Sequence, residues 1–403
     1  MTHQPLWLGY NHEGGRVAME AGVPGSRALL LGSQSDDLAD ILGLSAKEAG
    51  FSPIILDLNG RLARVLSGHF DTFDYRAFLY DSFRLEEPEA WHSQLAAAAY
   101  AVALDLSAEE EAIVDSAMQV VASDGTMLSP VSLHDVMGKV EGFRGFNVDR
   151  LSGRMGALRL FDAVDDQTFE RLLKGNVILD FRNAPYPQAA ELAAALFLAK
   201  VLAMERARGA GGGCLLMNEA HRLFRSSPRP LHSNRLLSHL LGRPSVSAFA
   251  SPHAAHIDPL LLQSLPVRVY SSDAWHSRPG QSIRVLLGTF VLDDLRSGLR
   301  ETFVPRRVQV KTSDYVPGRV GGCPSPELTV RLLEEIDRFP FSTPESIVQY
   351  MSAEFLPADV SSTLAGLEKD GQIIVEPKDS GSERVFSYTL TDKGRKLLQE
   401  LRT

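Results

Sequence analysis

The sequence predicts an α/β protein: a mostly parallel sheet with covering helices and a helical insertion, followed by a small α+β domain. Three observations lead there. From residue 28 short apolar runs alternate with stretches of helical periodicity, about residues 72–174 read mostly as helices, and the Gly- and Pro-dense stretch 316–326 divides the chain.

The expected strands are Ala28–Leu31, Pro53–Leu58, Asn176–Phe181, Cys214–Met217, Val246–Ala250 and Val267–Tyr270. Their nearly continuous apolar character suits strands covered on both faces. Within the insertion, Glu109–Val121 opens on acidic residues and carries apolar ones at helical spacing, and Ser132 is the expected cap of a following helix. Glu191–Arg208 places Leu192, Leu196, Ala199, Leu202 and Ala203 on one face and closes on Arg206, Arg208 and Gly209, as a crossover helix between two strands does. The first domain is thus expected over residues 1–315 and the linker over 316–326.

Residues 327–403 read as helices Glu327–Arg338, Thr343–Ser352 and Pro357–Asp370, strands Gln372–Glu376 and Arg384–Leu390 about a turn at Lys378–Glu383, and a last helix Thr391–Leu401 capped by Thr391. Three helices followed by a two-stranded wing is the winged-helix plan.

A chain of 403 residues, 44% apolar and 23% charged, is neither disordered nor collagen-like. Cys214 and Cys323 are too few for a disulfide scaffold or a thiolate zinc site, which points to a reducing, cytoplasmic compartment. Uninterrupted apolar runs fall short of the roughly 20 residues that cross a bilayer, so no membrane insertion is expected. With a net charge of −9, contact with nucleic acid has to come from a local patch.

A strand that ends in Gly32 and runs into a helix is where a phosphate-binding loop belongs. Laid on G-x-x-x-x-G-K-[ST], the residues are Gly32, Ser33, Gln34, Ser35, Asp36, Asp37, Leu38 and Ala39, a weak match by itself. The order of segments around it carries more: GYNHEGGRVAMEAGVPGSRALLLG, PIILDLNG, NVILDFRNAP, CLLMNEAHRLF and SAFASPHAAHID. Over about residues 6–310 this order resembles the HerA/FtsK superfamily of DNA-pumping ATPases, whose core is a P-loop NTPase-like fold of the RecA/FtsK/HerA type. CLLMNEAHRLF is its most specific part and is similar to a Walker B segment with Asn218 in place of aspartate.

The resemblance implies a catalytically inactive relative. Leu38 stands where a phosphate-binding lysine is expected, Ala39 where a hydroxyl holds Mg2+, and Asn218 where a carboxylate does, while Glu219 keeps the water-polarising position. Asp36, Asp37 and Asp40 add negative charge, each pair costing roughly 3 kcal/mol at about 5 Å, and are suited to cap the following helix. Neither ATP nor Mg2+ is therefore expected to bind. Since ring ATPases of this superfamily supply an arginine in trans, Arg150, Arg154 and Arg243 are the candidates for that role.

In the last domain Ser361, Ser362 and Thr363 on the third helix, with Lys378 and Arg384 in the wing, are the candidate contacts to DNA or protein. Nine basic against fourteen acidic residues from Ser325 onward leave this region acidic by five, which favours protein docking as much as DNA. His221, His232, His239, His253 and His256 lack metal-ligand spacing. The expected partners are a second copy or an active HerA/FtsK-like ATPase, with a nuclease and DNA as further ones. Alternatives are an active translocase with an irregular site, a strand-turn-helix fold without nucleotide history, and a winged-helix DNA-binding regulator.

Overall fold

The structure is a computed structural model and describes residues 5–20, 26–85, 89–123, 151, 167–184, 187–208, 213–226, 233–243, 246–276, 286, 288–308, 326–338, 347, 351, 360, 363–364, 366–368, 370–380 and 383–401. The strands are β1 (Leu6–Tyr10), β2 (Arg16–Met19), β3 (Arg27–Leu31), β4 (Pro53–Asp57), β5 (Asp71–Asp74), β6 (Val177–Asp180), β7 (Cys214–Met217), β8 (Val246–Ser251), β9 (Val267–Ser271), β10 (Phe290–Asp294), β11 (Leu299–Pro305), β12 (Ile373–Ser380) and β13 (Glu383–Leu390). The helices are α1 (Ser35–Glu48), α2 (Arg61–Leu66), α3 (Arg76–Ser82), α4 (Glu89–Leu104), α5 (Ala108–Ser123), α6 (Phe169–Leu173), α7 (Pro187–Arg208), α8 (Ser233–Leu241), α9 (Pro259–Ser264), α10 (Ser272–His276), α11 (Pro326–Arg338) and α12 (Asp392–Leu401).

Eleven strands form one mixed sheet in the order β2-β1-β11-β10-β9-β3-β8-β7-β4-β6-β5. The half from β9 to β5 is parallel throughout, and β10, β11, β1 and β2 extend it with antiparallel pairs. All six expected strands lie in the parallel half. Their residues are covered on both faces: Leu29, Leu31, Ile55, Leu179 and Leu216 are fully buried, each side chain contributing about 1.5–3 kcal/mol.

The insertion starts later than expected, because Asp71–Asp74 is strand β5 and pairs in parallel with β6 at the sheet edge. Helices α3, α4 and α5 follow. Helix α5 opens on a reciprocal capping box: the Glu110 N–H donates to Ser107 Oγ at 3.2 Å, and the Ser107 N–H donates to a Glu110 carboxylate oxygen at 2.8 Å. The expected cap Ser132 lies outside the described residues. Helix α7 is the crossover between β6 and β7 and packs along α4. It is long and apolar enough to span a bilayer by length and composition, yet 89% of its apolar window is buried in the fold.

The described chain divides into two compact units, Met1–Arg182 with Tyr186–Tyr315, and Val316–Thr403 with Asn183–Pro185. The second unit has its own core, in which Leu332, Leu333 and Ile336 of α11 pack with Val360, Leu364, Ile373, Leu390 and Leu398. Its strands β12 and β13 pair over their full length, from Ile373 opposite Leu390 to Ser380 opposite Glu383, and so extend into the expected turn. Thr391 Oγ1 accepts the Gly394 N–H at 3.2 Å, which caps α12 as the sequence predicts.

Candidate functional site

The carboxyl ends of β3, β8, β7 and β4 gather the chemistry-bearing side chains, the place where open α/β sheets bind ligands. Strand β3 leaves the sheet through Gly32, whose φ of +109° lies in the region open to glycine. A Cβ there would lie 1.8 Å from Ser271 Oγ, so only glycine fits between β3 and β9. Its N–H donates to the Ser251 carbonyl at 3.1 Å.

Helix α1 then begins at Ser35, after a connection of only Gly32, Ser33 and Gln34. The eight-position template spans more chain than this loop has, and the assignments at its far end are corrected. Leu38 and Ala39 lie inside α1, fully buried in the core that α1 and α2 build on the sheet. They face hydrocarbon and do not occupy a lysine or a hydroxyl position at the loop. The residues that stand at the helix start are Ser35, buried, with Asp36 and Asp37 beside it.

The N–H groups of Ser33 and Ser35 are engaged by the protein itself. The Ser35 N–H donates to the Gly32 carbonyl at 2.9 Å, and the Ser33 N–H donates to Asp273 Oδ2 at 3.0 Å. Asp273 stands just after β9 and also accepts from the Ser271 hydroxyl. Burial works against its charge, but the Ser271 hydroxyl and the Ser33 and Ala274 N–H groups hold its carboxyl below the usual range.

The aspartates of α1 do not cap it; the helix start has no side-chain cap. They are used laterally instead. Arg61, at the start of α2, pairs with Asp37 and with Asp40 at 3.1 Å. Burial pushes the Asp40 carboxyl up to about 7 in spite of Arg61, and among the described residues its Oδ1 has no hydrogen-bond partner. Asp36 Oδ2 accepts from Asn59 Nδ2 at 3.1 Å, and the same Nδ2 reaches Glu219 Oε1 at 3.4 Å.

Asn218, at the end of β7, is fully buried and spends its side chain on β4 and the residues that follow it. Its Nδ2 donates to Asp57 Oδ1 at 2.6 Å and Asn59 Oδ1 at 2.8 Å, and its Oδ1 accepts the Leu58 N–H at 2.7 Å. Burial pushes Asp57 up to about 7, even though the Ala63 N–H donates to it. Asp180 stands opposite Asp57 on β6. Glu219 follows in a left-handed turn, φ 51°. Burial and then Asp36 raise its pKa, while Arg222 and Asn59 oppose the rise. His221 lies 3.7 Å from Glu219, with the His253 and His256 rings nearby.

Asp57, Asn59, Arg61 and Asp273 were not singled out from the sequence. Asp57 and Asp180 end the two similar strands PIILD and VILD, a signal that was readable. Asp273 reaches Ser33 across 240 residues and leaves none.

Arg243 is 3% exposed, with Nε 2.7 Å from Glu205 Oε2 in a two-point pair, so its guanidinium is buried against Glu205 within this chain. Arg150 and Arg154 lie outside the described residues, as do Ser361 and Ser362. Thr363 is 5% exposed, on the helical stripe of Val360, Leu364 and Leu367 that packs the core, which corrects its assignment as a surface contact. Lys378 stands opposite Val385 and Arg384 opposite Asp379 in the β12–β13 ribbon.

No family model and no curated protein sequence matches the chain. Solved structures do. VirB4 of Thermoanaerobacter pseudethanolicus is 15% identical with a TM-score of 0.54, over 77% of this chain and 98% of that one. The bacterial conjugative coupling protein TrwB, in a trigonal form with sulphate, is 12% identical with a TM-score of 0.51, over 76% and 91%. TrwB has also been solved in complex with ADP and Mg2+, at 13% identity and a TM-score of 0.44 over 73% of this chain and 87% of that one. That finding corrects the expectation that the site takes neither ATP nor Mg2+: the fold holds both nucleotide and magnesium in TrwB.

Proposed function

The chain has the fold of the HerA/FtsK-type P-loop ATPases, and on that premise we propose that it is a translocase-like subunit of DNA transfer or processing that does not turn over nucleotide and acts as a binding or scaffold subunit. The observation that carries the proposal is the three-residue loop between β3 and α1, whose Ser33 N–H is held by Asp273. Phosphoryl transfer needs a cation against the phosphates, a held metal and an oriented water. The loop supplies no lysine, and Arg61, the cation beside the start of α1, is paired with Asp37 and Asp40. Glu219 remains, with Asn218 beside it turned toward Asp57. The proposal concerns turnover; nucleotide held without cleavage would serve a scaffold as a structural ligand.

In this reading residues 327–403 form a winged-helix domain that contacts DNA or a protein through Ser361, Ser362, Lys378 and Arg384. The subunit works in the cytoplasm, assembled with itself or with an active ATPase of the same type, and a nuclease joins the assembly. The test is steady-state ATP turnover by the full chain with Mg2+, with and without duplex DNA. Turnover indistinguishable from buffer in both supports the reading. DNA-stimulated turnover that Glu219→Gln abolishes overturns it.

A further inference from the structure

The β3–α1 loop and the residues after β9 converge on one carboxylate. Asp273 accepts the Ser33 N–H through Oδ2 at 3.0 Å and the Ser271 hydroxyl through Oδ1, and the Ala274 N–H and the Ser33 hydroxyl also act on it. Hydrogen-bond donors from two segments thus surround a single oxyanion, at the start of a 14-residue helix whose dipole favours negative charge there. Gly32 makes this approach possible. Its missing Cβ lets β3 lie against Ser271 and Ala274, which brings the Asp273 segment within reach of the loop. Asp273 and Ser33 are both exposed, so a dissolved anion can reach the same donors.

We propose that Asp273 is a tethered stand-in for phosphate: an autoinhibitory side chain that occupies the anion position of the β3–α1 loop and that an incoming nucleotide phosphate has to displace. The contact competes with phosphate and does not exclude it. A carboxylate and a phosphate oxygen take the same N–H donors, and a tethered anion has the advantage of effective concentration over one that must diffuse in. Asp36 and Asp37, at the same helix start, serve as an internal contrast. They face Asn59 and Arg61 and do not take the Ser33 N–H. The inference rests on reading residues 32–34 as a relative of a phosphate-binding loop.

The test uses the full chain and two probes, inorganic phosphate and ADP with Mg2+, titrated by calorimetry into the native protein, Asp273→Ala, Asp273→Asn and Asp36→Asn. Asp273→Ala vacates the donors, and ADP is expected to bind about tenfold tighter or better, a gain of about 1.4 kcal/mol. Asp273→Asn keeps an acceptor for the Ser33 N–H and is expected to gain less. Asp36→Asn lowers the negative charge equally without freeing the donors and is expected to gain less than Asp273→Ala. A gain for ADP alone shows that the loop reads a nucleotide, and a gain for both probes shows that it reads phosphate; either supports the inference. Equal affinity in the native protein and Asp273→Ala overturns it, and so does an equal gain in Asp36→Asn, which would mark simple charge relief. Turnover is a separate readout. Tighter ADP binding together with ATP hydrolysis would remove the proposal of inactivity and leave the Asp273 contact standing.

Discussion

The Asn218 side chain and the Asp57 carboxylate form one buried unit, with Asn218 Nδ2 donating to Asp57 Oδ1 across 2.6 Å while Asn218 Oδ1 accepts the Leu58 N–H. An aspartate at 218 would set a second carboxylate against a first that has no solvent to relieve it, since both residues are fully buried. The amide is thus the side chain that fits a neighbour already acidic, whatever it does to metal affinity.

Asn218→Asp is expected to destabilise the chain by about 2–4 kcal/mol at pH 8 and by less at pH 5. Asp57, pushed up to about 7 by burial, takes a proton more readily in the folded state, so the repulsion is relieved as pH falls. Adding Asp57→Asn should recover part of the loss. Urea unfolding of the four proteins of the double-mutant cycle measures it.

Arg61 ties α2 to α1 through Asp37 and the buried Asp40. Arg61→Ala leaves Asp40 unpaired and is expected to cost about 3 kcal/mol above pH 7. A carboxyl whose folded pKa is raised, as that of Asp40 is to about 7, contributes stability at low pH and loses it as pH rises through 7. The penalty for removing Arg61 should therefore shrink toward pH 5, as thermal melts at the two pH values would show.

His221 is held down to about 4 by burial and then by His256, His253, Arg222 and Arg225, against Glu219 at 3.7 Å. A lowered folded pKa means stability present above about 6.5, the unfolded value, and lost as pH falls through 4. His221→Gln should remove that part of the acid sensitivity, on the order of 2 kcal/mol between pH 7 and pH 4.5. Comparing acid unfolding of the two proteins tests it, and equal profiles would count against the assignment.

Gly32→Ala combines a φ of +109° with a Cβ placed 1.8 Å from Ser271 Oγ. We expect a loss of about 2–3 kcal/mol, part of it recovered by Ser271→Ala, which removes the nearest atom. Chemical denaturation of the single and double variants reads this directly.

The parallel half of the sheet was legible because strands such as PIILD and CLLM, covered on both faces, read as unbroken apolar runs. Strands β1, β2, β5, β10 and β11 were not recognised. DTFD of β5 and LRETFVP of β11 carry the polar residues of edges and half-open faces, and acquire their character only from the strand they pair with. The loop was legible as a strand-to-helix turn but not in its length. An eight-position template hid that Leu38, Ala39 and Leu42 already keep helical spacing, all fully buried. Asp40, Asp57 and Asp273 show why the electrostatics escaped: their partners Arg61, Asn218 and Ser33 come from other segments, and only folding brings them together.

We propose that this chain, with its short β3–α1 loop and with Asn218 turned toward Asp57, performs no phosphoryl transfer. Single-turnover cleavage of γ-labelled ATP, with protein in excess over nucleotide and Mg2+ and DNA present, is the decisive measurement, because slow product release cannot mask the chemical step. Phosphate release at the protein-free rate is the expected result. Faster release that disappears in Glu219→Gln would show that the chain cleaves ATP.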